Sequence, residues 1–417
     1  MSEKTSTKLS PTFCVLPWLH LGVRPTGRLR VCTWTISTLK DGEGRPYSVG
    51  KDSLFSALNC SELDQMKAKM LAGKTVAACT RCYEFESVGN RSKRQTELEV
   101  NAARVPDILT GKVQNPEILE LRLGNKCNLG CVSCSPDSSS FLYREIEQNM
   151  EKKDVEFDDQ HLGAFASMRS SMSDWYEREE FWQDVRQLMP EIRRLYITGG
   201  EPTLIGKNWE MLSYAIAQGY ASQIDLEMST NLTVIKEEQI ETLNHFKSCH
   251  VYCSIDATDG AFEYLRYPAR WDKVESNFRR LLQIANANVQ ISVTPTISAL
   301  SIWRLKDLYA WLSGVENESS RGVRLHCHTL LRDPAYQSLT NLPPNLKQKA
   351  IGEVEALLAI YPDEFNQRNL SKVANFIRHG ESHPEILIAG QKFIETFDNI
   401  RGRSWREFVP ELGEVWR

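Results

Sequence analysis

The sequence lacks several features that would place the protein outside the soluble globular class. No stretch of its 417 residues approaches the run of about 18 apolar residues that a membrane-spanning helix requires. An apolar N-terminal segment of the secretory kind is also missing, because residues 1–11 are mostly polar. Like charges do not run together, and the 50 basic and 54 acidic residues leave a net charge of −4. We therefore expect a cytoplasmic protein whose partners include neither nucleic acid nor a membrane.

Length and composition exclude two further classes. With 41% hydrophobic residues, the chain is too apolar for intrinsic disorder and too long for a small disulfide scaffold. Internal repeats and low-complexity segments are missing, and 417 residues correspond to about two or three domains. Changes in the sequence pattern predict three parts, residues 1–112, 113–335 and 336–417.

Cysteine is the informative residue type. The chain has 11 cysteines, an odd number, and we expect a reducing compartment in which disulfides are disfavoured. Cysteines that cluster in such a chain are more often metal ligands or reactive groups. Their spacing is therefore the first guide to function.

The first part of the chain predicts a hairpin and a helix. Two apolar stretches, 13–23 and 29–34, flank the turn residues Pro25, Thr26 and Gly27. Leucines and methionines at helical spacing then cover 54–71, as one helix or as two short helices with a break near Asn59, and the pattern ends at Gly73.

The middle part alternates short apolar strands with amphipathic, helix-length segments. This alternation predicts parallel β/α units, in an open sheet or a partial barrel, with ligands at the carboxyl ends of the strands. The six predicted strands are 118–123, 194–198, 224–229, 251–255, 289–294 and 323–329.

Two regions outside the strands are predicted to be helical. The long connection 135–190 reads as an elaborated first helix, in which Trp175, Tyr176, Phe181 and Trp182 are expected to pack in the core or a lid. After residue 336, the prolines and glycines divide the chain into four helical pieces.

Three cysteines follow the first predicted strand directly. Cys127, Cys131 and Cys134 have the spacing C-x3-C-x2-C. A structural zinc site usually has four ligands in two pairs, and no fourth candidate lies nearby. Three thiolates suit a [4Fe-4S] cluster that leaves one iron free to coordinate a substrate or cofactor.

With this motif in place, the chain resembles the radical S-adenosylmethionine (SAM) enzymes. Their C-x3-C-x2-C motif lies after the first strand of a partial (β/α)6 barrel, and a G-G-E-P motif follows the second strand. Gly199, Gly200, Glu201 and Pro202 match that second motif. The resemblance implies that this segment receives the amino group of SAM.

The resemblance also implies further SAM contacts at the ends of the later strands. They are Ser229, Asn231, Ser254, Asp256, Thr296 and Arg266, the last of which lies on the helix after the fourth strand. It implies that a reduced cluster cleaves SAM to a 5′-deoxyadenosyl radical, which abstracts hydrogen from the substrate. An electron donor such as flavodoxin or ferredoxin would reduce the cluster. No catalytic residue of the protein itself is singled out.

A second cysteine set lies in the first part of the chain. Cys14 and Cys32 flank the predicted hairpin, and Cys79 and Cys82 form a C-x2-C pair after the helix. This order resembles the SPASM and twitch auxiliary domains, and four thiolates favour the twitch type with one further [4Fe-4S] cluster. Structural zinc remains the alternative, because four thiolates also form a tetrahedral zinc site.

The expected architecture is thus α/β: a TIM-like partial (β/α)6 barrel, a small N-terminal hairpin-and-helix cluster domain, and a helical C-terminal extension. The resemblance favours oxidation or cross-linking of a peptide or protein, with the auxiliary cluster accepting an electron. Dehydrogenation or epimerisation of a small sugar-like or aminocyclitol molecule is one alternative. A non-enzymatic metal-binding scaffold is another.

The remaining candidates have plain structural interpretations. Cys249, Cys253 and Cys327 are expected to pack in the barrel wall. His326 and His328 flank Cys327 and must share one face of the sixth strand. If this face points into the barrel, the two histidines can meet the substrate, and if it points outward, they are polar surface residues.

Overall fold

The computed structural model describes residues 9–35, 37–87, 89–153, 155–171, 174–319 and 321–417. Residues 1–8 of the predicted N-terminal part lie outside these ranges, as do three residues of the 135–190 connection. Ten strands are found in the described chain: β1 His20–Val23, β2 Leu29–Arg30, β3 Ile118–Arg122, β4 Arg194–Thr198, β5 Asp225–Thr230, β6 Ser248–Cys253, β7 Val289–Val293, β8 Thr296–Ile297, β9 Arg324–Leu325 and β10 Thr329–Leu330.

Eight of these strands form the central sheet, in the order β2-β1-β3-β4-β5-β6-β7-β9. Every neighbouring pair from β1 to β9 is parallel, and only β2 runs antiparallel. All six predicted strands are confirmed as β3, β4, β5, β6, β7 and β9, although β9 is shorter than 323–329. Strands β8 and β10 form a separate parallel pair.

The predicted N-terminal hairpin is confirmed and joins the sheet. Strands β1 and β2 are antiparallel, and Gly27 in their turn has a φ of +76°, which glycine adopts without strain. Strand β1 also pairs in parallel with β3, with His20 opposite Ile118. The N-terminal part therefore extends the sheet of the middle part.

The two faces of the sheet differ in polarity, because successive side chains alternate between them. On β6, Cys249, Val251 and Cys253 are buried in the apolar core, which confirms the packing role predicted for the two cysteines. The other face, here called the inner face, carries polar side chains. On this face Tyr196 of β4 and Tyr252 of β6 approach to 6.5 Å between ring centroids, although β5 lies between their strands. The sheet is therefore curved around its inner face.

Eighteen α-helices are found in the described chain. They are α1 Leu16–Leu19, α2 Leu54–Leu58, α3 Ser61–Leu71, α4 Thr80–Ser87, α5 Lys93–Val100, α6 Val105–Leu109, α7 Ser140–Asn149, α8 Asp159–Arg169, α9 Glu179–Leu188, α10 Gly206–Ala217, α11 Glu237–Leu243, α12 Asp259–Leu265, α13 Trp271–Ile284, α14 Leu305–Glu318, α15 Pro344–Ile360, α16 Glu364–His379, α17 Pro384–Arg401 and α18 Trp405–Phe408. None of them is long and apolar enough to cross a bilayer.

The helices agree with the predicted pattern. The break near Asn59 separates α2 from α3, and Gly73 follows α3 with a φ of +73°. The 135–190 connection contains α7, α8 and α9, and the C-terminal part contains four α-helices, α15 to α18.

The predicted aromatic packing in the 135–190 connection is confirmed. Trp175 is fully buried, and its indole Nε1 donates a hydrogen bond of 2.8 Å to the carbonyl of Pro25. A side chain at Gly27 would lie 3.2 Å from the Trp175 ring. The connection thus packs directly against the turn of the N-terminal hairpin.

Candidate functional site

Cys127, Cys131 and Cys134 lie on the loop between β3 and α7, here called the cluster loop, residues 123–139. The backbone N–H of Gly130 donates to the carbonyl of Tyr267 at 2.7 Å. Ser140 begins α7, and its hydroxyl donates to the carbonyl of Cys127 at 3.0 Å. These bonds fix both halves of the loop at the carboxyl edge of the sheet.

The three thiols are half-buried and lie in a sulfur-rich environment. Burial raises the pKa of the Cys127 thiol to about 12, and the neighbouring Cys131 adds to the effect. Burial also raises the pKa of Cys134 and of Cys131, although the positive charge of Arg266 opposes it at Cys131. Thiols of this kind lose their protons when a soft metal centre binds them. The donor set therefore fits an iron–sulfur cluster.

The G-G-E-P segment packs against the cluster loop. Gly199 and Gly200 have φ values of +82° and +56°. A Cβ at Gly200 would lie 2.5 Å from the carbonyl oxygen of Lys126, next to the first cysteine. The backbone N–H of Glu201 donates to that same carbonyl at 2.8 Å. Only glycine allows the two motifs to approach so closely.

Glu201 links the ends of two strands. It is 1% exposed, and its carboxylate accepts a 2.7 Å hydrogen bond from the Thr230 hydroxyl and a 2.6 Å bond from the Asn231 backbone N–H. Burial raises its pKa, although these hydrogen bonds oppose the rise. Asn231, which it fixes, places its amide nitrogen 3.8 Å from the Cys127 sulfur.

Three of the other candidate SAM contacts form one group. The Asp256 carboxylate accepts bonds of 2.8 Å from the Arg266 guanidinium and 2.6 Å from the Thr296 backbone N–H. Arg266 also reaches the Cys131 sulfur at 4.0 Å. Because both Asp256 and Arg266 are buried, their ion pair is not a surface pair.

Ser229 and Ser254 lie at the same edge but make different contacts. The Ser229 hydroxyl is 2.8 Å from the Tyr196 hydroxyl of the inner face. The backbone N–H of Ser254 donates to the Thr230 carbonyl at 2.8 Å. The structure thus gathers the predicted residues at the carboxyl ends of β4, β5, β6 and β7 at the edge that carries the three thiols.

The four cysteines of the N-terminal part line one cavity. Cys14, Cys32, Cys79 and Cys82 surround it together with apolar residues and Arg94. Burial raises the pKa of Cys79 to about 12, and the neighbouring thiols Cys32 and Cys82 add to the rise. Cys14 lies before α1, which leads into the amino end of β1. This cavity is therefore near the edge of the sheet opposite the cluster loop.

Neither cysteine set is arranged around a single point. Within the described ranges, no three His, Cys, Asp or Glu side chains converge where one metal ion could bind. A [4Fe-4S] cluster does not require such convergence, since each thiolate binds a different iron.

The inner face between the two cysteine sets is lined by aromatic and titratable groups. His326 packs on His250 at 5.8 Å, and His328 on Tyr252 at 6.2 Å, so both predicted histidines point inward. Burial lowers the pKa of His250 and of His326 to about 4, so both are neutral at pH 7. Burial raises the pKa of Glu227, although Arg194 opposes it.

Sequence reasoning missed the residues that support the cluster loop from far along the chain. His161 of α8 places Nε2 3.1 Å from the Cys134 carbonyl and Nδ1 2.5 Å from Asp158. Gln337 and Arg401 approach the loop from the C-terminal part. No local pattern could reveal them, because contacts across 27 to more than 200 residues depend on the fold.

The parallel sheet and the three thiols on the loop after β3 form a donor set that fits an iron–sulfur cluster. Residues 121–308 match the Radical SAM superfamily, and we assign this part of the chain to it. The match covers the three cysteines and the G-G-E-P segment. No curated protein matched the sequence.

Several solved structures are similar to the chain at low identity. SuiB of Streptococcus suis, bound to its precursor peptide SuiA, is 14% identical with a TM-score of 0.38, covering 69% of this chain and 61% of that one. The enzyme anSMEcpe, with bound AdoMet and the Cp18Cys peptide, is 18% identical with a TM-score of 0.39, covering 62% and 64%. The methyltransferase TsrM of Kitasatospora setae is 12% identical with a TM-score of 0.26, covering 31% and 28%. The chain thus spans less than two thirds of the length of these proteins.

Proposed function

We propose that the protein is a radical SAM enzyme that oxidises or cross-links a peptide or protein substrate. When bound, SAM and a reduced [4Fe-4S] cluster supply a 5′-deoxyadenosyl radical that removes a hydrogen atom from the substrate. The observation that carries this proposal is the meeting of the three thiols, the G-G-E-P backbone and the Asp256–Arg266 pair at one edge of the sheet.

The residues of this edge have distinct tasks in the proposal. Cys127, Cys131 and Cys134 would ligate the [4Fe-4S] cluster and leave one iron open. The backbone of Gly199 and Gly200 and the side chains of Asn231 and Arg266 orient SAM beside the cluster, and Asp256 fixes the Arg266 guanidinium. Ser229, Ser254 and Thr296 complete the site. An external donor such as flavodoxin or ferredoxin would supply the electron that this site requires.

We place the substrate on the inner face. Strand β1 has four residues and a rise of about 3.3 Å per residue, so on the order of 13 Å separates the edge with the cluster loop from the edge with the second cysteine set. A substrate on this face lies between the two sets. Tyr252, Glu227 and the neutral His250 then offer hydrogen bonds that orient a polar substrate.

A wide opening favours a peptide over a small molecule. A cleft of about 950 Å³ runs along the amino ends of β7 and β9 and reaches His250 and His326 of the inner face. Its volume is near the upper end for small-molecule sites, which enclose most of their ligand. An extended chain could enter from solvent, whereas a sugar-sized molecule would leave the cleft largely empty.

We further propose that residues 1–112 form a twitch-like auxiliary domain with a second [4Fe-4S] cluster on Cys14, Cys32, Cys79 and Cys82. The shared cavity supports this assignment. The four thiolates would ligate all four irons, and a cluster held in this way would be suited to accept an electron from a substrate radical. Iron close to about eight per chain is expected after anaerobic reconstitution. A measured content of about four irons and one zinc per chain would instead mean that the second cysteine set holds zinc.

The enzymatic claim is tested by 5′-deoxyadenosine formation from SAM under anaerobic, reducing conditions. The wild type should form it, whereas the combined variant Cys127→Ala, Cys131→Ala, Cys134→Ala should form none and keep its auxiliary iron. Cys249→Ala, which removes a buried thiol from the core, is the matched control and should remain active. Absence of product from a fully loaded wild type would leave a metal-binding scaffold as the better explanation.

A further inference from the structure

The C-terminal part of the chain reaches the cluster loop at two points. The Gln337 side-chain amide is fully buried and donates a 2.7 Å hydrogen bond to the carbonyl of Val132, between the second and third cysteines. Arg401, the last residue of α17, lies against Gly130, next to the second cysteine. A side chain at Gly130 would come within 3.0 Å of the Arg401 Nη2 atom.

Arg401 is the charged member of this contact, and it is held rigidly. Its side chain is 3% exposed. Nε and Nη2 donate to the two carboxylate oxygens of Glu145, on α7, at 2.9 and 2.6 Å. The guanidinium stacks on Tyr267 at 5.0 Å and on Phe397 at 4.7 Å. The carbonyl of Tyr267 also accepts the hydrogen bond from the Gly130 N–H. Arg401 therefore packs against both residues that this hydrogen bond joins.

We propose that Arg401 is a positioning residue of the SAM cluster, and that the buried Arg401–Glu145 pair sets the reduction potential of this cluster. The inference rests on the proposed function, because it requires a cluster on Cys127, Cys131 and Cys134. It gives the C-terminal part a role in the chemistry that its sequence alone does not indicate.

The sign of the effect follows from the charge that reduction adds. A cluster that gains an electron becomes more negative, so a nearby buried cation stabilises the reduced form and raises the potential. The Glu145 carboxylate opposes this effect. Its side chain is 8% exposed, so solvent screens neither partner strongly.

Substitutions at the two members of the ion pair are therefore expected to shift the midpoint potential of the cluster in opposite directions. Arg401→Gln should lower the midpoint potential of the SAM cluster, and Glu145→Gln should raise it. The double variant should return towards the wild-type value, and Arg401→Lys, which keeps the charge, should stay close to it. If the ion pair only held the cluster loop in place, either substitution would loosen the loop in the same way. The two variants could then not shift the potential in opposite directions.

The potentials are measured by EPR-monitored redox titration of the reconstituted full chain. Arg406→Gln is the matched control, because it removes a positive charge from the same part of the chain but pairs with Glu395 at 3.2 Å, away from the loop. Its SAM-cluster potential should not change. If Arg401→Gln does not fold, Glu145→Gln and Arg401→Lys still decide the question.

The outcomes separate this inference from the proposed function. Opposite shifts in the two single variants support the inference. Unchanged potentials, or shifts of the same sign, overturn it and leave the proposed function intact. A wild-type chain with no reducible cluster on the three cysteines overturns both.

Discussion

Gly200 is the residue at which the two sequence motifs of the candidate site touch. Its φ of +56° lies in the left-handed region, and a Cβ would lie 2.5 Å from the Lys126 carbonyl oxygen. Neither the backbone conformation nor the space allows a side chain there. The close packing of the two motifs thus requires glycine at this position.

Gly200→Ala tests this contact. The substitution should destabilise the fold by about 1–3 kcal/mol and weaken SAM binding, because the strained backbone moves the G-G-E-P segment away from the cluster loop. Denaturant unfolding and equilibrium SAM binding measure the two effects.

Gly206→Ala is the matched control for this substitution. Gly206 begins α10, and a Cβ there would meet nothing within 4 Å. Its alanine variant should bind SAM like the wild type. Equal SAM affinities for the two alanine variants would contradict the close-approach explanation.

At the scale of elements, one buried carboxylate joins the N-terminal hairpin to the barrel sheet. Glu120 of β3 accepts a 2.6 Å hydrogen bond from Arg30 of β2 and a 2.8 Å bond from Arg122. Burial alone would raise the pKa of Glu120, but His20, whose Nε2 lies 3.5 Å from the carboxylate, and the two arginines hold it well below its ordinary value of 4.5. The carboxylate stays ionised and counterbalances the arginines.

Glu120→Gln should therefore destabilise the protein by about 3 kcal/mol at pH 7, because it leaves buried arginine charge unpaired. Since the folded pKa is depressed, the contribution of Glu120 is complete above its unfolded pKa and is lost as the pH falls below about 4.5. The stability gap between wild type and variant, from denaturant unfolding at several pH values, should shrink on acidification.

The control for that series is Glu180→Gln, whose side chain is 76% exposed. It should match the wild type within about 0.5 kcal/mol at every pH. A gap for Glu120→Gln that does not depend on pH would contradict the ionised-carboxylate explanation.

A second element-scale contact is the packing of Trp175 on the hairpin turn. Trp175→Ala should cost about 3–5 kcal/mol, because it empties a fully buried site and leaves the Pro25 carbonyl without its donor. Val100→Ala, at a position 65% exposed, should cost little. The free energies of unfolding in denaturant compare the two, and similar losses would contradict the packing seen here.

The sequence predicted the elements whose signal is local. The six apolar strands, the break near Asn59 and the four C-terminal helices follow from periodicity and from turn residues, and all are found. The pairing of β1 with β3 could not be predicted, since a four-residue strand does not specify a partner almost 100 residues away. Pairing of this kind is decided by tertiary packing.

At the scale of the whole molecule, the sequence motifs of the site have a local signal, whereas the residues that hold those motifs in place do not. The three cysteines and the G-G-E-P segment are visible in the sequence because each motif lies within a few neighbouring residues. Arg401 and Glu145 are separated by 256 residues, and nothing in either local sequence marks them as a pair. The residues that hold a site in place are therefore the part that only the fold reveals.

The whole molecule places one cysteine set at each edge of the sheet, with a polar inner face between them. This arrangement is consistent with an acceptor cluster on the far side of the substrate from the SAM site. The proposed cluster on Cys127, Cys131 and Cys134 would keep one iron open to SAM, and this is the central claim.

The EPR spectrum of the reduced protein, recorded with and without SAM, tests this claim most directly. In a chain whose Cys14, Cys32, Cys79 and Cys82 are replaced by alanine, the remaining cluster signal should shift when SAM is added, because SAM would coordinate the open iron. A reduced cluster on the three loop cysteines whose spectrum SAM leaves unchanged would contradict it.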